Sequence, residues 1–332
     1  MARTSIEWWL RFAFAYVCTH TQAHDATWVP PWVAPRLHNA DMRPICASLS
    51  AFLVFCAACH TARSDWTLAT SAALTHDDNV GNARDHASVV GDSSAAASAS
   101  LLQLISIADG FSLSAGGDLS GQMHERLSGL NTASVDGVLS LKKKWGVGAF
   151  APWTRAGISV GRGDYADRYR DATLYRASME AGKRLDERWN FWAKYAFERR
   201  RAEPVEYGVY GMSSDVFSEQ GRSFNAGVEY QLSGRTSLRL GSLLRHGDVV
   251  STTQPGSFVY AYAKAVAPDP TFGPGAYAYR LEGTTFGARL GVDYSLTAHN
   301  LIGYGFQRLE THAQGGNNYT DSLSDLTWIY RF

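Results

Sequence analysis

The last stretch of the chain, from Asp321 to Phe332, constrains the fold more than any other. Its residues alternate, so that one parity carries three aromatic side chains at two-residue steps, Trp328, Tyr330 and Phe332. Because successive side chains of a β-strand point to opposite faces, this pattern predicts a strand with one apolar face and one mostly polar face. The aromatic residues stand at the end of the apolar face.

Similar alternation recurs upstream, for example over 189–200, 223–232 and 285–294. From residue 65 onward the chain divides into about twelve strands, joined alternately by short connections and long loops, the longest at about 248–276. Aromatic residues near the short connections predict an interfacial girdle: Trp145, Trp153, Trp189, Tyr230, Tyr294 and Tyr330. We predict an all-β fold, a transmembrane antiparallel β-barrel of about 12 strands with both termini in the periplasm.

A final strand that ends in Phe332, with Trp328 and Tyr330 before it, resembles the C-terminal signature of bacterial outer-membrane β-barrel proteins. The resemblance implies a location in the bacterial outer membrane, among its lipid and lipopolysaccharide. It also implies that these three residues serve as an assembly signal for the barrel assembly machinery. The Asp-Asp-Asn segment at 77–79 resembles the first loop of barrels associated with exopolysaccharide or lipoprotein export. The helical-repeat domain of the lipoprotein-export family is absent from this sequence.

The first 63 residues do not share the strand pattern. We interpret 1–41 as an upstream extension outside the mature protein, 42–63 as a signal peptide with a basic start and an apolar run, and 64–332 as the barrel. An ordered helix around 8–17 and a lipidated Cys59 are alternatives, and the cleavage site is open. All 4 cysteines precede residue 60, so the predicted mature chain has none, which suits an oxidising compartment without a disulfide framework.

Charged residues recur on the predicted inner faces of the strands: Arg155, Arg176, Glu180, Lys194, Glu198, Glu229, Arg239, Arg289 and Asp293, with Asp136 and Asp325 among the further acidic positions. They allow two interpretations, a pore wall with a mild anion preference or a ladder of ion pairs that fills a closed barrel. The turn at 233–235 sets Glu229 opposite Arg239, and opposite charges across an antiparallel pair attract, which favours internal pairing there.

Two further motifs suggest ligands. Arg199 and Arg201 could contact lipopolysaccharide phosphates, because guanidinium groups match phosphate oxygens. The carboxylates of segment 77–79 could bind a divalent cation. No ligand series of a calcium loop accompanies them, so a solvated loop is favoured and no metal site is predicted.

The function classes are narrowed by charge and by motifs. Basic and acidic residues number 31 each, so no global charge favours nucleic acid. The sequence contains no Gly-x-Ser-x-Gly elbow and no His-Glu-x-x-His motif, and it indicates no cofactor. We predict a narrow channel, or an export-associated or structural barrel. The alternative is an outer-membrane barrel enzyme acting on lipid or peptide, so catalysis is left open.

Overall fold

The computed structural model describes residues 65–206, 212–255 and 258–332. These residues contain 13 β-strands in one sheet. In chain order the strands are β1 (Asp65–Asp77), β2 (Asp92–Ala108), β3 (Phe111–His124), β4 (Thr132–Lys144), β5 (Trp153–Tyr165), β6 (Ala172–Arg184), β7 (Trp189–Ala202), β8 (Glu219–Gln231), β9 (Thr236–Thr253), β10 (Ala265–Pro268), β11 (Tyr277–Ser295), β12 (Asn300–Ala313) and β13 (Tyr319–Arg331). The predicted segments 1–41 and 42–63 lie outside the described residues.

Twelve of these strands form a closed antiparallel barrel. Consecutive strands pair from β1 to β9, β9 pairs with β11, and β13 returns to β1. Thr70, for example, lies opposite Ala99 on β2 and Tyr330 on β13. Closure removes the sheet edges, whose backbone groups would be unsatisfied in lipid. The predicted barrel is confirmed. In addition, β10 pairs with the start of β11, a strand that alternation did not predict.

The two faces of the barrel differ in polarity, as alternation predicts. One face exposes large apolar side chains, such as Leu74, Met123, Ile158 and Leu240. The other carries mostly small polar and charged residues, which bond to one another across strands. An apolar outer surface around a polar interior is the arrangement of a barrel in lipid. In the described part of the chain, no helix is long and apolar enough to span a membrane.

At one end of the barrel the strands are joined by connections of two to eight residues, which we call turns, and the three longest connections, 78–91, 203–218 and 254–276, all lie at the other end. The barrel begins and finishes at the turn end, where the Phe332 N–H donates to the Leu68 carbonyl at 3.0 Å. We number the six connections at the other end loops 1 to 6: 78–91, 125–131, 166–171, 203–218, 254–276 and 314–318. Loop 5 includes β10.

Trp153 departs from the predicted girdle. It lies on the inner face, with its ring 4.9 Å from Lys142 Nζ and against the backbone of Gly182. The glycine leaves the space that the ring fills. Trp145 and Trp189, by contrast, are exposed.

Candidate functional site: the barrel interior and its cap

Two arginines form ion pairs along the inner wall. Arg239 on β9 bonds to Asp293 on β11, with Nε 2.6 Å from Oδ2. Arg289 on β11 bonds to Asp325 on β13, two strands away, with Nη2 2.6 Å from Oδ1. A Cβ at Gly305, on the intervening β12, would lie 2.6 Å from Asp325 Oδ1 and 2.7 Å from Arg289 Nη2. The second pair therefore lies against the wall because β12 has no side chain at this point.

The same arrangement occurs at a second place in the barrel. Arg176 on β6 bonds to Asp136 on β4, with Nη1 2.9 Å from Oδ1, and to Glu198 on β7, with Nε 2.8 Å from Oε1. Gly161 lies between them on β5, where a Cβ would overlap the Asp136 carboxylate. An arginine, a glycine and an aspartate on three adjacent strands thus form a unit that lines the wall.

In the three arginine–aspartate pairs the arginine is the more accessible partner, whereas Glu198, the second partner of Arg176, is 56% exposed. The side chains of Arg239 and Arg289 are each 42% exposed, whereas their aspartates are 13% and 17% exposed. Arg176 follows the same pattern, at 40% against 16% for its aspartate. Ion pairs that filled a closed barrel would bury both partners. The exposure instead indicates an accessible interior whose surface is formed by guanidinium groups.

The wall formed by β1, β2 and β3 differs in character. These three strands contain no lysine or arginine. Their inner faces carry short polar side chains: Ser71 Oγ lies 2.8 Å from Ser98 Oγ, and Gln122 donates to Ser94 Oγ at 2.9 Å. Short side chains leave space in front of the arginine-bearing wall. The interior is therefore asymmetric: one side has short side chains, no lysine or arginine and the carboxylate of Asp118, and the other side carries the arginines.

A cavity of about 370 Å³ opens at the turn end of the interior. Its charged lining residues are Lys142, Lys144, Arg184, Arg188, Glu187 and Glu229. Basic groups outnumber acidic ones, and a charged cleft between low-dielectric walls focuses its field. The turn end therefore attracts anions.

Loop 5 reaches three loops on one part of the rim. Phe272 lies against loop 1, where a Cβ at Gly81 would be 3.0 Å from its ring. Thr271 lies against Gly129 of loop 2, and its Oγ1 donates to Asp167 Oδ2 of loop 3 at 2.9 Å.

Loop 5 also reaches the other two loops. Ala267 packs in one apolar cluster with Phe217 of loop 4, and Tyr262 lies against Gly315 of loop 6. The five contacted loops follow β1, β3, β5, β7 and β12, which are distributed around the barrel. A segment that touches all of them must cross the mouth, so we call loop 5 the cap.

A buried ion pair fixes the cap to loop 3. Arg170 Nη2 lies 2.5 Å from Asp269 Oδ2, and Asp269 is fully buried. Thr252 Oγ1 donates to the same carboxylate at 2.8 Å, and the Arg170 guanidinium lies 4.2 Å from the Phe217 ring centroid. A buried charge pair with further hydrogen bonds specifies one position for the segment that carries it.

A second anchor holds the cap to the strands. Lys264 Nζ lies 2.8 Å from Asp248 Oδ1 and 2.9 Å from Glu282 Oε2. The hydrogen bond from Lys264 lowers the pKa of Glu282, and the hydrogen bonds to the two carboxylates raise the pKa of Lys264. Both groups lie beyond the lipid-facing side chains of β11, of which Phe286 is the one nearest the loops.

The predicted register of β8 and β9 is confirmed, with Glu229 opposite Arg239. The ion pair inferred from it is wrong. Arg239 bonds to Asp293, and Glu229 instead accepts a hydrogen bond from Asn190 Nδ2 at 3.4 Å. Arg239 can turn toward β11 because β12 offers space there, where a Cβ at Gly303 would lie 3.4 Å from Arg239 Nη2.

The remaining predicted inner-face charges lie close together. Arg155 Nη1 is 3.7 Å from Glu180 Oε2, and Glu180 lies opposite Lys194 in the register. On the outer face, Arg199 and Arg201 are exposed at the loop end of β7.

The predicted assembly residues form a row of aromatic contacts on the outer face at the turn end. The Trp328 and Tyr330 rings are 6.3 Å apart, and the Tyr330 and Phe332 rings are 4.6 Å apart. Sequence reasoning missed the spacer glycines, Gly161 and Gly305, although glycine alternating with apolar residues within a strand is a signal for them.

Two histidines, His124 on β3 and His246 on β9, lie near the loop ends of their strands. His124 Nδ1 lies 3.4 Å from the buried Asp92 carboxylate. His246 contacts Thr284 Oγ1 at 3.0 Å and Glu282 at 3.3 Å. Neither contact includes a serine, whereas His76 Nδ1 lies 3.1 Å from Ser93 Oγ.

No protein-family model matches the sequence, and no curated protein is significantly similar to it. Solved structures are similar in fold. An outer-membrane channel from Pseudomonas putida F1 aligns over 82% of this chain and 97% of its own, at 12% identity and a TM-score of 0.52. The β domain of the Bordetella autotransporter BrkA aligns over 80% and 98%, at 12% identity and a TM-score of 0.43. The KdgM porin aligns over 79% and 99%, at 10% identity and a TM-score of 0.39. The first likeness, with the apolar outer face, supports the predicted outer-membrane location, and the chain has the fold of a bacterial outer-membrane β-barrel protein.

Proposed function

We propose that this barrel is a narrow, capped channel of the outer membrane that prefers small anions. The proposal rests on one observation: inside the barrel, the arginines of the wall pairs are more exposed than the aspartates to which they bond. Guanidinium groups on an accessible wall lower the energy of a passing anion. The basic cavity at the turn end adds to this preference.

The cap sets the second property of the channel. Loop 5 crosses the mouth and is held there by the Arg170–Asp269 pair and by Lys264. We expect short, infrequent openings. In this proposal the turn end and both ends of the barrel sequence face the periplasm, and the cap faces the exterior.

Single-channel recording in planar bilayers tests the function. In a tenfold KCl gradient we expect discrete current steps. Their reversal potential should be shifted toward the equilibrium potential of chloride. A closed cap would prevent conduction even if the barrel is a channel. The variant Asp269→Ala, in which we expect the cap to be released, is therefore recorded beside the native protein. Cation preference, or silence of both proteins, would contradict the proposal. Silence combined with hydrolysis of phospholipid or peptide would support the barrel enzyme instead.

The loop end of the outer face supports a lipid partner. Arg199 and Arg201 are exposed there, together with Arg222, which lies opposite the lipid-facing Phe197. In the described part of the chain, none of the three arginines has an ion-pair partner. The first two also line a cavity of about 550 Å³, to which Lys264 contributes. We propose that this row binds the phosphates of lipopolysaccharide, whose oxygens match guanidinium groups.

Thermal unfolding with added lipopolysaccharide tests the lipid site. The double variant Arg199→Gln, Arg201→Gln should lose most of the stabilisation that lipopolysaccharide gives to the native protein. Lys183→Gln, which removes an outer-face charge at the turn end of β6, is the matched control and should keep it. Equal stabilisation of all three proteins would exclude the site.

A further inference from the structure

Three carboxylates meet at the seam where the barrel closes. Asp77 is the last residue of β1, Asp78 begins loop 1, and Asp321 lies on β13, which pairs with β1. One carboxylate oxygen from each residue lies within 4.8 Å of the other two. We call these residues the seam triad.

Asp321 points a buried, unpaired oxygen into the triad. The residue is 5% exposed, and its Oδ1 has no hydrogen-bond donor among the described residues. An ionised carboxylate without donors is costly to bury. One guanidinium, that of Arg308, reaches the triad, at 3.9 Å from Asp78 Oδ2, which is too long for a charge-assisted hydrogen bond. The triad therefore holds more negative charge than its surroundings compensate.

Backbone donors hold the other two carboxylates in place. The Asn79 N–H donates to Asp77 Oδ1 at 2.8 Å, and the Ser322 N–H donates to Asp78 Oδ1 at 2.8 Å. The Oδ2 atom of each receives no hydrogen bond from these donors. The triad is thus a fixed set of hard oxygen ligands drawn from both strands of the seam.

We propose that the seam triad binds one calcium ion. Ca²⁺ takes carboxylate oxygens at about 2.3–2.6 Å, so two of its ligands can be up to about 5 Å apart. The triad oxygens fall within that limit. Mg²⁺ holds its ligands at about 2.0–2.1 Å, requires near-ideal octahedral geometry and gives up its water molecules reluctantly. Carbonyl oxygens and water complete a calcium shell, whose geometry is flexible.

The triad lies beyond the lipid, since Asp321 pairs with Leu309, next to the exposed Arg308. A bound cation would supply the positive charge that the protein does not.

The ion would also act on the cap. The Asn79 side chain donates to the Thr320 carbonyl at 3.1 Å, which ties loop 1 to β13. The Gly81 carbonyl accepts from the Thr252 N–H at 2.7 Å, and Phe272 of the cap rests on Gly81. Calcium at the seam would therefore fix the surface on which the cap lies.

Calorimetric titration of the folded, chelator-treated protein in detergent with CaCl₂ tests the site, without any conductance measurement. We expect one Ca²⁺ per chain and weaker binding of Mg²⁺. Asp321→Asn should reduce calcium affinity at least tenfold, because it removes a charged ligand. Asp186→Asn, at an exposed turn at the other end, should not change it. Calcium should raise the temperature of the heat-dependent gel shift in the native protein and not in Asp321→Asn.

The exposed Asp78→Asn is the second variant if Asp321→Asn fails to fold. Absence of calcium binding by the native protein would overturn the proposal, and so would native affinity in a folded triad variant. Binding of Mg²⁺ as tight as that of Ca²⁺ would overturn the choice of metal. None of these results bears on whether the barrel conducts.

Discussion

Arg289 and Asp325 form an ion pair of 2.6 Å across a strand that places only a glycine between them. Their unequal exposure makes the arginine the side chain that a solute in the channel would meet. Arg289→Gln should therefore lower the chloride-to-potassium permeability ratio, and Asp325→Asn should raise it by freeing the guanidinium charge. Reversal potentials in a KCl gradient measure both. Lys183→Gln on the outer face should leave the ratio unchanged, and equal shifts in the same direction for both inner variants would contradict the assignment.

Gly305 should tolerate no side chain without moving this pair. A methyl group there would stand 2.6 Å from the Asp325 carboxylate, so the pair must swing into the interior. We expect Gly305→Ala to lower single-channel conductance and to destabilise the barrel by about 1–3 kcal/mol, as overpacking does. Gly234→Ala is the control, because no atom lies within 4 Å of a Cβ at that turn. Conductance and the midpoint of the heat-dependent gel shift report the two effects, and native values for Gly305→Ala would show that the spacing is not needed.

The barrel could be predicted from the sequence because every strand that crosses lipid alternates apolar residues on its outer face with polar residues on its inner face. Alternation marks the segments that lipid covers, and the predicted segments 189–200 and 285–294 lie within β7 and β11. The alternation of apolar and polar residues stops where a strand leaves the lipid. β9 nevertheless continues past the lipid-facing Leu244 to Thr253 under the cap, a part of the strand that alternation does not predict.

The cap and the wall pairs were less predictable for a physical reason. Arg170 and Asp269 lie 99 residues apart in loops, where no period relates one position to another. The register gave Glu229 opposite Arg239 but could not say which neighbour a long side chain would choose. That choice depends on the space left by Gly303, which is visible only once three strands are placed together.

Asp269→Ala should release the cap. The substitution leaves Arg170 buried with only the more distant Asp167, 3.7 Å away, and breaking a buried pair costs up to about 3–5 kcal/mol. The loss is local to the loops, so the barrel should persist while loop 5 departs from the mouth. We expect a higher open probability and faster proteolysis within 254–276, with an unchanged heat-dependent gel shift. Asp109→Ala, at a turn on the other end, is the control. Unchanged gating and proteolysis would show that the pair does not hold the cap.

Acid should weaken the other anchor of the cap. The hydrogen bond from Lys264 lowers the pKa of Glu282 from its ordinary 4.5, so the contribution of ionised Glu282 is present above pH 4.5 and is lost as the pH falls through the lowered value. The pKa of Lys264 is raised from 10.5, so its contribution is lost only above that pH. Open probability should thus increase as the pH falls below 4.5. Lys264→Met should open more often at pH 7 and lose the acid response. An acid response that persists in Lys264→Met would assign it to another group.

Phe332 should matter more for assembly than for the stability of the finished barrel. In the folded protein its ring is 60% exposed on the outer face, and its N–H makes one bond to Leu68 across the seam. Burial of one aromatic side chain contributes about 1.5–3 kcal/mol, a loss that a closed barrel of twelve strands should survive. The unfolded chain, in contrast, would lose its recognition signal if the assembly machinery recognises the terminal aromatic residue. Deletion of Phe332 should therefore lower the outer-membrane fraction several-fold, while the assembled remainder keeps a near-native heat-dependent gel shift. Phe332→Tyr, which keeps an aromatic end, should assemble normally. Fractionation and external protease cleavage within loop 5 measure the assembled amount, and native levels of the truncated chain would argue against a targeting role for the C-terminus.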